Sequence, residues 1–203
     1  MTQIRTLFWD IGGVLLNNAW DRTERKQALT KFNIDEADFQ SRHEPLVPSF
    51  ERGELTLDQY LDQTIFYRLR DFSRDAFRDF MFSLSRPNLE SLTVARSLAQ
   101  SGKYFMATIN NESAELNAYR IQTFDLNEIF SLFVSSCFVG MQKPDEKIYR
   151  LALQLTQMPA EACCFIDDRP ANLEAPARLG MHVIHMESAA QLQKALKTLG
   201  VDI

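Results

Sequence analysis

The chain has 203 residues, of which 45% are hydrophobic and 24% are charged, and its formal net charge is −5 at pH 7. This length supports one folded domain, or a core with a modest insertion, and the composition is typical of a globular rather than a disordered protein. The negative net charge argues against a nucleic-acid-binding protein, for which a basic face is expected.

The sequence predicts neither a membrane span nor a signal peptide. No apolar run approaches the roughly 20 residues that a transmembrane helix needs. No basic stretch leads into a long apolar region near residue 1. The three cysteines do not suggest a disulfide framework and indicate reduced thiols. We therefore expect a cytoplasmic protein that binds neither nucleic acid nor a membrane.

Five short apolar runs predict β-strands, and helical patterns lie between the later ones. The runs cover residues 7–9, 104–109, 132–134, 163–166 and, more weakly, 182–185. Strands that alternate with helices are typical of a doubly wound α/β fold. The sequence therefore predicts a mostly parallel, Rossmann-like sheet.

The interval 19–85 breaks this alternation because it carries helix signals and no convincing strand. Thr56 and Gln59 match a capping box at the start of one apolar helical stripe, and a second stripe follows it. We predict an all-helical insertion over residues 19–85, placed after the first strand, and a core formed by residues 1–18 and 86–203.

Polar side chains follow the predicted strands, at the edge of the sheet where open α/β folds bind ligands. In chain order they are Asp10, Asn110, Asn111, Lys143, Asp167 and Asp168. Each residue alone is typical of a turn or a helix cap. Their joint occurrence at strand ends is what indicates a functional site.

Three carboxylates in one place are costly unless a cation lies among them. Oxygen ligands of this kind suit Mg²⁺, which takes one or two carboxylates and also binds the phosphate oxygens of a substrate. Lys143 and the Asn110 amide would then hold the remaining phosphate oxygens. The residues therefore predict phosphoryl chemistry on a small phosphorylated molecule.

These residues lie in four segments that resemble the motifs of the haloacid dehalogenase superfamily, most of whose members are Mg²⁺-dependent phosphohydrolases. "FWDIGGVLL" resembles the first motif, "FMATINNES" the second, "MQKPDEKIY" the third and "CFIDDRPANLEAPARLGM" the fourth. The helical insertion resembles the cap that these enzymes carry. The first motif is similar to that of the family's sugar-1-phosphate phosphatases, which also read Asp-x-Gly.

The resemblance implies a nucleophile and a metal site. Asp10 would attack phosphorus and form an aspartyl-phosphate that water then hydrolyses. Asp10 and Asp168 would bind Mg²⁺ together with the backbone carbonyl of Gly12, with Asp167 in or near the metal shell. Asn172, one helical turn later, would orient that shell.

The resemblance also implies a phosphate-binding set. Lys143 would neutralise both the nucleophile and the phosphate, and would be catalytic in that sense. Asn110 and Asn111 would donate hydrogen bonds to phosphate oxygens. The partner of the site would be a small phosphorylated substrate.

Two positions depart from the family pattern. Most family phosphatases have an Asp at the position of Gly12 that protonates the leaving group, and losing such help costs about 10²–10⁴-fold in rate. The second motif usually has Ser or Thr where we place Asn110, with Thr108 as the alternative. We therefore expect a preference for leaving groups that need little protonation, such as sugar 1-phosphates or acyl phosphates. His43 and Glu44 are candidates for the missing acid.

Two other functions stay open. A 2-haloacid dehalogenase also lacks the second Asp, but it needs no Mg²⁺ and would leave the acids at 167–168 without a purpose. A degenerate family member would bind a phosphorylated metabolite without turnover. The sequence allows a monomer or a homodimer. Helix packing is the expected role of Trp20, Phe66 and Tyr67.

Overall fold

The computed structural model describes residues 2–203. Within them, five strands form one sheet: β1 (Thr6–Trp9), β2 (Phe105–Asn110), β3 (Leu132–Ser135), β4 (Cys163–Asp167) and β5 (His182–His185). The strand order is β3-β2-β1-β4-β5, and all neighbouring pairs are parallel. The predicted α/β fold class is therefore confirmed, including its weak fifth strand.

Eleven α-helices lie in the described part of the chain, and none of them is long and apolar enough to cross a membrane. They are α1 (Arg22–Lys31), α2 (Glu36–His43), α3 (Val47–Glu51), α4 (Leu57–Thr64), α5 (Arg74–Ser83), α6 (Leu89–Ser101), α7 (Ala114–Thr123), α8 (Ser136–Val139), α9 (Glu146–Thr156), α10 (Pro170–Arg178) and α11 (Ala189–Thr198).

The sheet buries both of its faces. Successive side chains of a strand point to opposite faces, so Leu7 and Trp9 join one buried cluster while Phe8 joins another. The first cluster includes residues of α6 and α11, and the second includes residues of α9 and α10. Helices on both faces explain why the strands read as continuous apolar runs.

Helices α1–α5 share a buried cluster, which also includes Leu116 of α7. Trp20 contacts Phe39 and Phe77 edge to face, with ring centroids 6.4 and 6.0 Å apart. The capping box of Thr56 and Gln59 is present at the start of α4. The division into a core (1–18 and 86–203) and a cap (19–85) stays our prediction, and this separate cluster is consistent with it.

Two chain segments connect the helices α1–α5 to the sheet, and they run side by side. Leu16 forms β-bridges to Gly12 and to Pro87. The Asn17 amide donates to the Leu84 carbonyl at 3.0 Å, and the Arg86 backbone N–H donates to Asn17 Oδ1 at 2.9 Å. These hydrogen bonds fix where the helical segment leaves and rejoins the sheet edge.

Candidate active site

The carboxyl ends of the parallel strands bring three carboxylates and one ammonium group together. Asp10 follows β1, Asp167 ends β4 and Asp168 comes next, and one oxygen of each lies within 4.8 Å of the others. Lys143 Nζ lies 2.9 Å from Asp10 Oδ1 and 2.7 Å from Asp167 Oδ2. The structure thus brings together four of the residues that the sequence singled out.

This cluster carries more negative than positive charge, and most of it is buried. Burial raises the pKa of Asp10 to about 7; Lys143 opposes the rise, and the two neighbouring acids add to it. Burial likewise raises the pKa of Asp168, with Asp167 contributing. Burial disfavours the charge of Lys143, but Asp10 and Asp167 outweigh it and hold the Lys143 pKa above its usual value. A further cation among these acids would relieve their repulsion.

The two adjacent acids at the end of β4, Asp167 and Asp168, differ in how their oxygens are used. Asp167 accepts from Lys143, from the Arg169 backbone N–H at 2.8 Å, and from the Asn172 amide at 3.1 Å on each oxygen. Asp168 Oδ1 is buried and has no hydrogen-bond partner among residues 2–203. Asp168 therefore has an oxygen available for a ligand, while Asp167 is already saturated.

The two glycines after Asp10 serve different purposes. Gly13 has a positive φ of 72°, and a Cβ there would lie 2.0 Å from Asp168 Oδ2. At Gly12 a Cβ would lie 2.8 Å from Asn18 Oδ1. Gly13 thus lets the loop approach Asp168, and the Asn18 amide occupies the space beside position 12 where a side chain would begin.

Asn110, predicted to bind phosphate, lies away from the cavity at this edge. Its side chain is 2% exposed, donates to Asn117 Oδ1 at 3.0 Å and accepts from Ser135 Oγ at 2.8 Å. Asn117 in turn donates to Ser135 Oγ at 3.1 Å. The Asn110 amide is therefore engaged in a buried network that joins β2, β3 and α7.

The register of the sheet explains why the Asn110 side chain does not face the cavity. Trp9 pairs with Thr108 across β1 and β2, so the residue one step further on, beside Asp10, is Ile109. Ile109 is fully buried and apolar. The alternative, Thr108, is also buried, and its hydroxyl has no partner among the described residues and does not line the cavity. A shift of one residue reverses the face of a strand side chain.

Asn111 reaches the site but is held by Lys143. Its amide donates to the Lys143 carbonyl at 3.0 Å and accepts from the Lys143 backbone N–H at 2.9 Å. This double hydrogen bond fixes the loop from which the lysine side chain extends toward Asp10. The geometry favours a positioning role over a direct contact of this amide with phosphate.

A cavity of about 520 Å³ lies between the sheet edge and the helical segment. The sheet side is lined by Asp10, Gly12, Asn18, Asn111, Glu112, Ser113, Arg120, Gln142, Lys143, Pro144, Arg169, Ala171 and Asn172. The helical side is lined by Trp20, Asp21, Arg25, His43, Val47, Phe50 and Glu51. We call these two sets the sheet wall and the helical wall.

His43 is a buried member of the helical wall, 5% exposed, rather than the surface residue that its polar neighbours in the sequence suggest. Its Nδ1 lies 2.7 Å from the Tyr60 hydroxyl, which accepts from the Trp20 indole at 3.0 Å. The Tyr60 hydroxyl therefore joins the Trp20 indole and the His43 imidazole in one buried network. Burial lowers the His43 pKa to about 4, with Arg25 contributing.

Of the other residues that the sequence singled out in the helical insertion, only some line the cavity. Glu44 is exposed and does not line the cavity, and Phe66 and Tyr67 do not line it either, whereas Trp20 does. Sequence reasoning missed Glu51 and Arg25, two charged groups of the helical wall. No pattern in the helices α1–α5 indicates which of their polar residues face the sheet edge.

Solved structures that are similar to this chain include HAD family enzymes. A HAD family enzyme from Bacteroides thetaiotaomicron is 20% identical, covers 92% of this chain and 95% of its own, and superposes with a TM-score of 0.80. The same enzyme was also crystallised with magnesium and inorganic phosphate. A HAD-like hydrolase from Porphyromonas gingivalis covers both chains fully, at 21% identity and a TM-score of 0.78.

Curated relatives give matches at higher identity. Bifunctional epoxide hydrolase 2 of Sus scrofa is 28% identical over 98% of this chain and 40% of its own length. Flavin mononucleotide hydrolase 1 of Arabidopsis thaliana is 27% identical over 80% of this chain and 65% of its own. The chain thus spans less than two thirds of the length of each. The haloacid dehalogenase-like hydrolase family matches residues 4–180, and the chain belongs to that family of hydrolases.

Proposed function

We propose that this chain is a Mg²⁺-dependent phosphohydrolase that cleaves a small phosphate ester through an aspartyl-phosphate at Asp10. One observation carries the proposal: the buried cluster in which Lys143 lies within 2.9 Å of Asp10 and 2.7 Å of Asp167, beside the unpartnered oxygen of Asp168. A nucleophilic carboxylate, a fixed cation and an open ligand oxygen are the groups that phosphoryl transfer needs.

The donor set fits a magnesium ion. Oxygen ligands suit Mg²⁺, and the buried Asp168 Oδ1, which has no hydrogen-bond partner among the described residues, is a fitting donor for the ion. Asp10, Asp168 and the Gly12 carbonyl would hold it, and Asp167 would act through Lys143 because its own lone pairs are engaged. When bound, the ion would neutralise charge on the phosphate oxygens.

The chain's own residues then carry the transfer. The Asp10 carboxylate attacks phosphorus as the ester P–O bond breaks, and water later cleaves the acyl phosphate to release inorganic phosphate. Lys143 keeps the attacking oxygen charged and oriented and compensates charge on the transferring group. Asn111 fixes the Lys143 backbone, and Asn172 fixes Asp167. The cap, residues 19–85, would close over the cavity.

The relatives support phosphate-ester chemistry in general. One is named for the hydrolysis of flavin mononucleotide, and a related fold was crystallised with magnesium and inorganic phosphate. For this chain we propose sugar 1-phosphates or acyl phosphates as favoured substrates, because position 12 is a glycine and the loop after Asp10 offers no acid. Their leaving groups need less protonation than those of simple alkyl phosphates.

The state of the cysteines bears on the cellular compartment of the protein. All three cysteines are unpaired, and Cys163 and Cys164 are buried. Unpaired thiols are the usual state of cysteine in the cytosol, so we propose a cytoplasmic enzyme. It would act as a monomer or homodimer on a small phosphorylated molecule.

The test is phosphate release from sugar phosphates, acetyl phosphate and p-nitrophenyl phosphate, with Mg²⁺ or with chelator. We expect release that requires the metal and falls by at least about 10³-fold in Asp10→Asn, while Asp145→Asn, at a half-exposed helix cap, retains activity. Release that persists in Asp10→Asn would refute the mechanism. Metal-independent release of halide from a 2-haloacid would establish the dehalogenase instead, and ligand-induced stabilisation without turnover would indicate a binding protein.

A further inference from the structure

Glu51 ends helix α3 and lines the same cavity as Asp10, on the opposite, helical wall. Its side chain is partly buried, and its carboxylate forms no hydrogen bond or ion pair within residues 2–203. Because the carboxyl group borders the cavity and has no partner in the part of the chain that the structure describes, its oxygens are free to bind a ligand there. Such groups cluster at functional sites.

The other cavity acids near Glu51 are engaged. Asp21 pairs with Arg169 at 3.0 Å and also accepts from the first backbone N–H of α1. Glu112 pairs with Arg120 at 2.9 Å and accepts from the Ser113 backbone N–H at 3.0 Å. Among the cavity carboxyl groups outside the Asp10 cluster, Glu51 alone in the described chain is available to a substrate.

The environment of Glu51 also raises the pKa of its carboxyl group toward neutral pH. Burial raises the Glu51 pKa to about 7, and Glu112 adds to the rise. Arg169 and Lys143 oppose it, and Asp21 contributes a small increase. Glu112, Arg169 and Lys143 lie in the loops after β2, β4 and α8, and Asp21 lies at the start of α1. The other titratable groups of the helical wall are Arg25 and His43. A pKa near the working pH is what a proton carrier needs.

The remaining titratable groups of the helical wall are poorly suited to that task. The Arg25 guanidinium already donates to the Trp20 carbonyl at 2.6 Å. His43 has its pKa lowered to about 4 and is bound to Tyr60. By elimination, Glu51 is the one group of this wall that can both give and take a proton near pH 7.

Two contacts hold Glu51 in place against the sheet side. Ser136 Oγ donates to the Glu51 carbonyl at 2.6 Å, and Gly53, with φ of 72°, lies so close to α8 that a Cβ would be 2.3 Å from the Cys137 carbonyl oxygen. In an in-line displacement the leaving oxygen lies on the side of phosphorus opposite the attacking carboxylate. Across the cavity from Asp10, that side is the helical wall.

We propose that Glu51 supplies the general acid–base function that is missing at Gly12. Its carboxyl proton passes to the leaving oxygen as the P–O bond breaks, and the resulting carboxylate takes a proton from the water that attacks the aspartyl-phosphate. One proton is thus given and recovered in each cycle, and water supplies the proton of the released alcohol. The inference rests on the proposed phosphohydrolase function and deepens it.

A proton donor on the helical wall has a consequence for selectivity. Only a substrate whose leaving group reaches from Asp10 to α3 can use it. Substrates too small to span the cavity keep the dependence on a good leaving group that Gly12 implies. The enzyme would then favour phosphate esters of hydroxylated molecules that are long enough to span this cavity, such as sugar phosphates.

The test compares kcat/KM for a sugar phosphate and for p-nitrophenyl phosphate, whose leaving group needs no proton, in the Mg²⁺-loaded enzyme. In Glu51→Gln we expect about a 10²-fold loss on the sugar phosphate and less than about a threefold loss on p-nitrophenyl phosphate. The sugar-phosphate rate of the unmodified enzyme should fall above about pH 7, where Glu51 loses its proton, and the variant should lack that limb. Glu36→Gln, at an exposed position of α2 that does not line the cavity, should change neither rate.

Equal losses on both substrates, no loss on the sugar phosphate, or an unchanged alkaline limb would each overturn the role of Glu51. Turnover of p-nitrophenyl phosphate by Glu51→Gln shows that the variant is folded, and Glu51→Ala with added formate gives a second arm in which only the sugar-phosphate rate should recover. Asp10→Asn separates the two proposals: retained activity there refutes the proposed function, whereas its loss together with a silent Glu51→Gln refutes the proton carrier alone.

Discussion

The sheet wall of the cavity contains Asp10 and Lys143, whose charged groups lie 2.9 Å apart, and Lys143 is also 2.7 Å from Asp167, whereas the helical wall faces them with Trp20 and Phe50. On the sheet wall every charge is fixed by a neighbour of opposite sign or by a backbone group. On the helical wall the aromatic rings provide shape, His43 is neutral at pH 7 and Glu51 has no ion-pair partner in the described chain, whereas Asp21 is paired with Arg169 of the sheet wall. The two walls therefore differ in how strongly their geometry is determined.

This difference indicates which wall can shift its position when a ligand enters the cavity. Strand ends are held by the hydrogen-bonded ladder, so the sheet wall keeps its carboxylates in place whatever enters the cavity. The helical wall belongs to a segment joined to the sheet by two short connections, and its position determines what the charged wall can reach. The sheet wall therefore holds the groups that we propose to form the aspartyl-phosphate, and the helical wall would select the substrate and, through Glu51, carry the proton.

The largest effect is expected from Lys143→Met, which breaks the sheet wall. Two buried carboxylates would lose their cation, so the free energy of unfolding at neutral pH without Mg²⁺ should fall by about 3 kcal/mol. Phosphate release should fall by at least about 10³-fold, because charge on the transferring group is no longer compensated. Urea unfolding and steady-state kinetics measure both effects. Lys147→Met removes an exposed lysine of α9 and should change neither; a similar loss there would contradict the assignment.

The next effect concerns the metal side of the same wall. Gly13→Ala places a Cβ 2.0 Å from Asp168 Oδ2 at a residue with φ of 72°, so Asp168 must move away from the loop. We expect the Mg²⁺ concentration for half-maximal activity to rise by about 10- to 100-fold, as for displaced supports of other metal sites. Gly102→Ala has φ of 65° with open space around it. It should cost about 1 kcal/mol in stability and leave the Mg²⁺ requirement unchanged.

A third prediction addresses the helical wall and leaves the sheet wall intact. The His43 pKa is about 4 in the folded protein and 6.5 in the unfolded chain. As the pH falls, the unfolded state therefore takes up a proton before the folded state does. The contribution of His43 to the free energy of unfolding is complete above about pH 6.5 and is lost as the pH falls toward 4. At pH 5 the loss is roughly 2 kcal/mol.

His43→Gln has no imidazole to protonate, so it should lack this part of the pH dependence. Urea unfolding of both proteins at pH 7.5 and pH 5 gives the change in the free energy of unfolding for each. Subtracting the change in the variant from that in the unmodified protein removes the contribution of the carboxyl groups that both contain. Parallel curves for the two proteins would mean that His43 titrates alike in the folded and unfolded states. The buried network with Tyr60 and Trp20 would then need another explanation.

Sequence patterns predicted the sheet well for a specific physical reason. Strands covered on both faces are continuous apolar runs, and parallel strands bring the residues after them to one edge, so Asp10 and Asp168 could be expected together before any coordinates were known. The same reasoning could not place Asn110. Only the pairing of Trp9 with Thr108 reveals that Ile109 stands beside Asp10, and register is a property of two strands rather than of one.

The helical wall was harder to predict for a different reason. Amphipathic spacing identifies which side of a helix is buried, but not which neighbour buries it. His43 and Glu44 are adjacent in the sequence, yet one is buried against Tyr60 and the other is exposed. Glu51 carried no signal either, since a glutamate at the end of a short helix is ordinary. Its significance comes from the cavity it lines.

The smallest effect should come from the contact that holds the helical wall to the sheet side. Gly53→Ala adds a Cβ 2.3 Å from the Cys137 carbonyl oxygen at a residue with φ of 72°, so α3 must shift away from α8. Glu51 moves with it. We expect kcat/KM for a cavity-filling sugar phosphate to fall by about tenfold, because small misplacements of a reacting group are costly, and acetyl phosphate, which is too short to reach α3, to lose less than about twofold.

Gly140→Ala is the matched control, since Gly140 has φ of 66° and no atom within 4 Å of an added Cβ. Its backbone strain resembles that of Gly53→Ala, but α3 stays in place, so both substrates should keep their rates. If Gly53→Ala slowed acetyl phosphate as much as the sugar phosphate, the two walls would not be separable, and displacement of α3 would act on the Asp10 cluster itself. A selective loss would instead show that the sheet wall works independently and that α3 adds its contribution only to substrates that reach it.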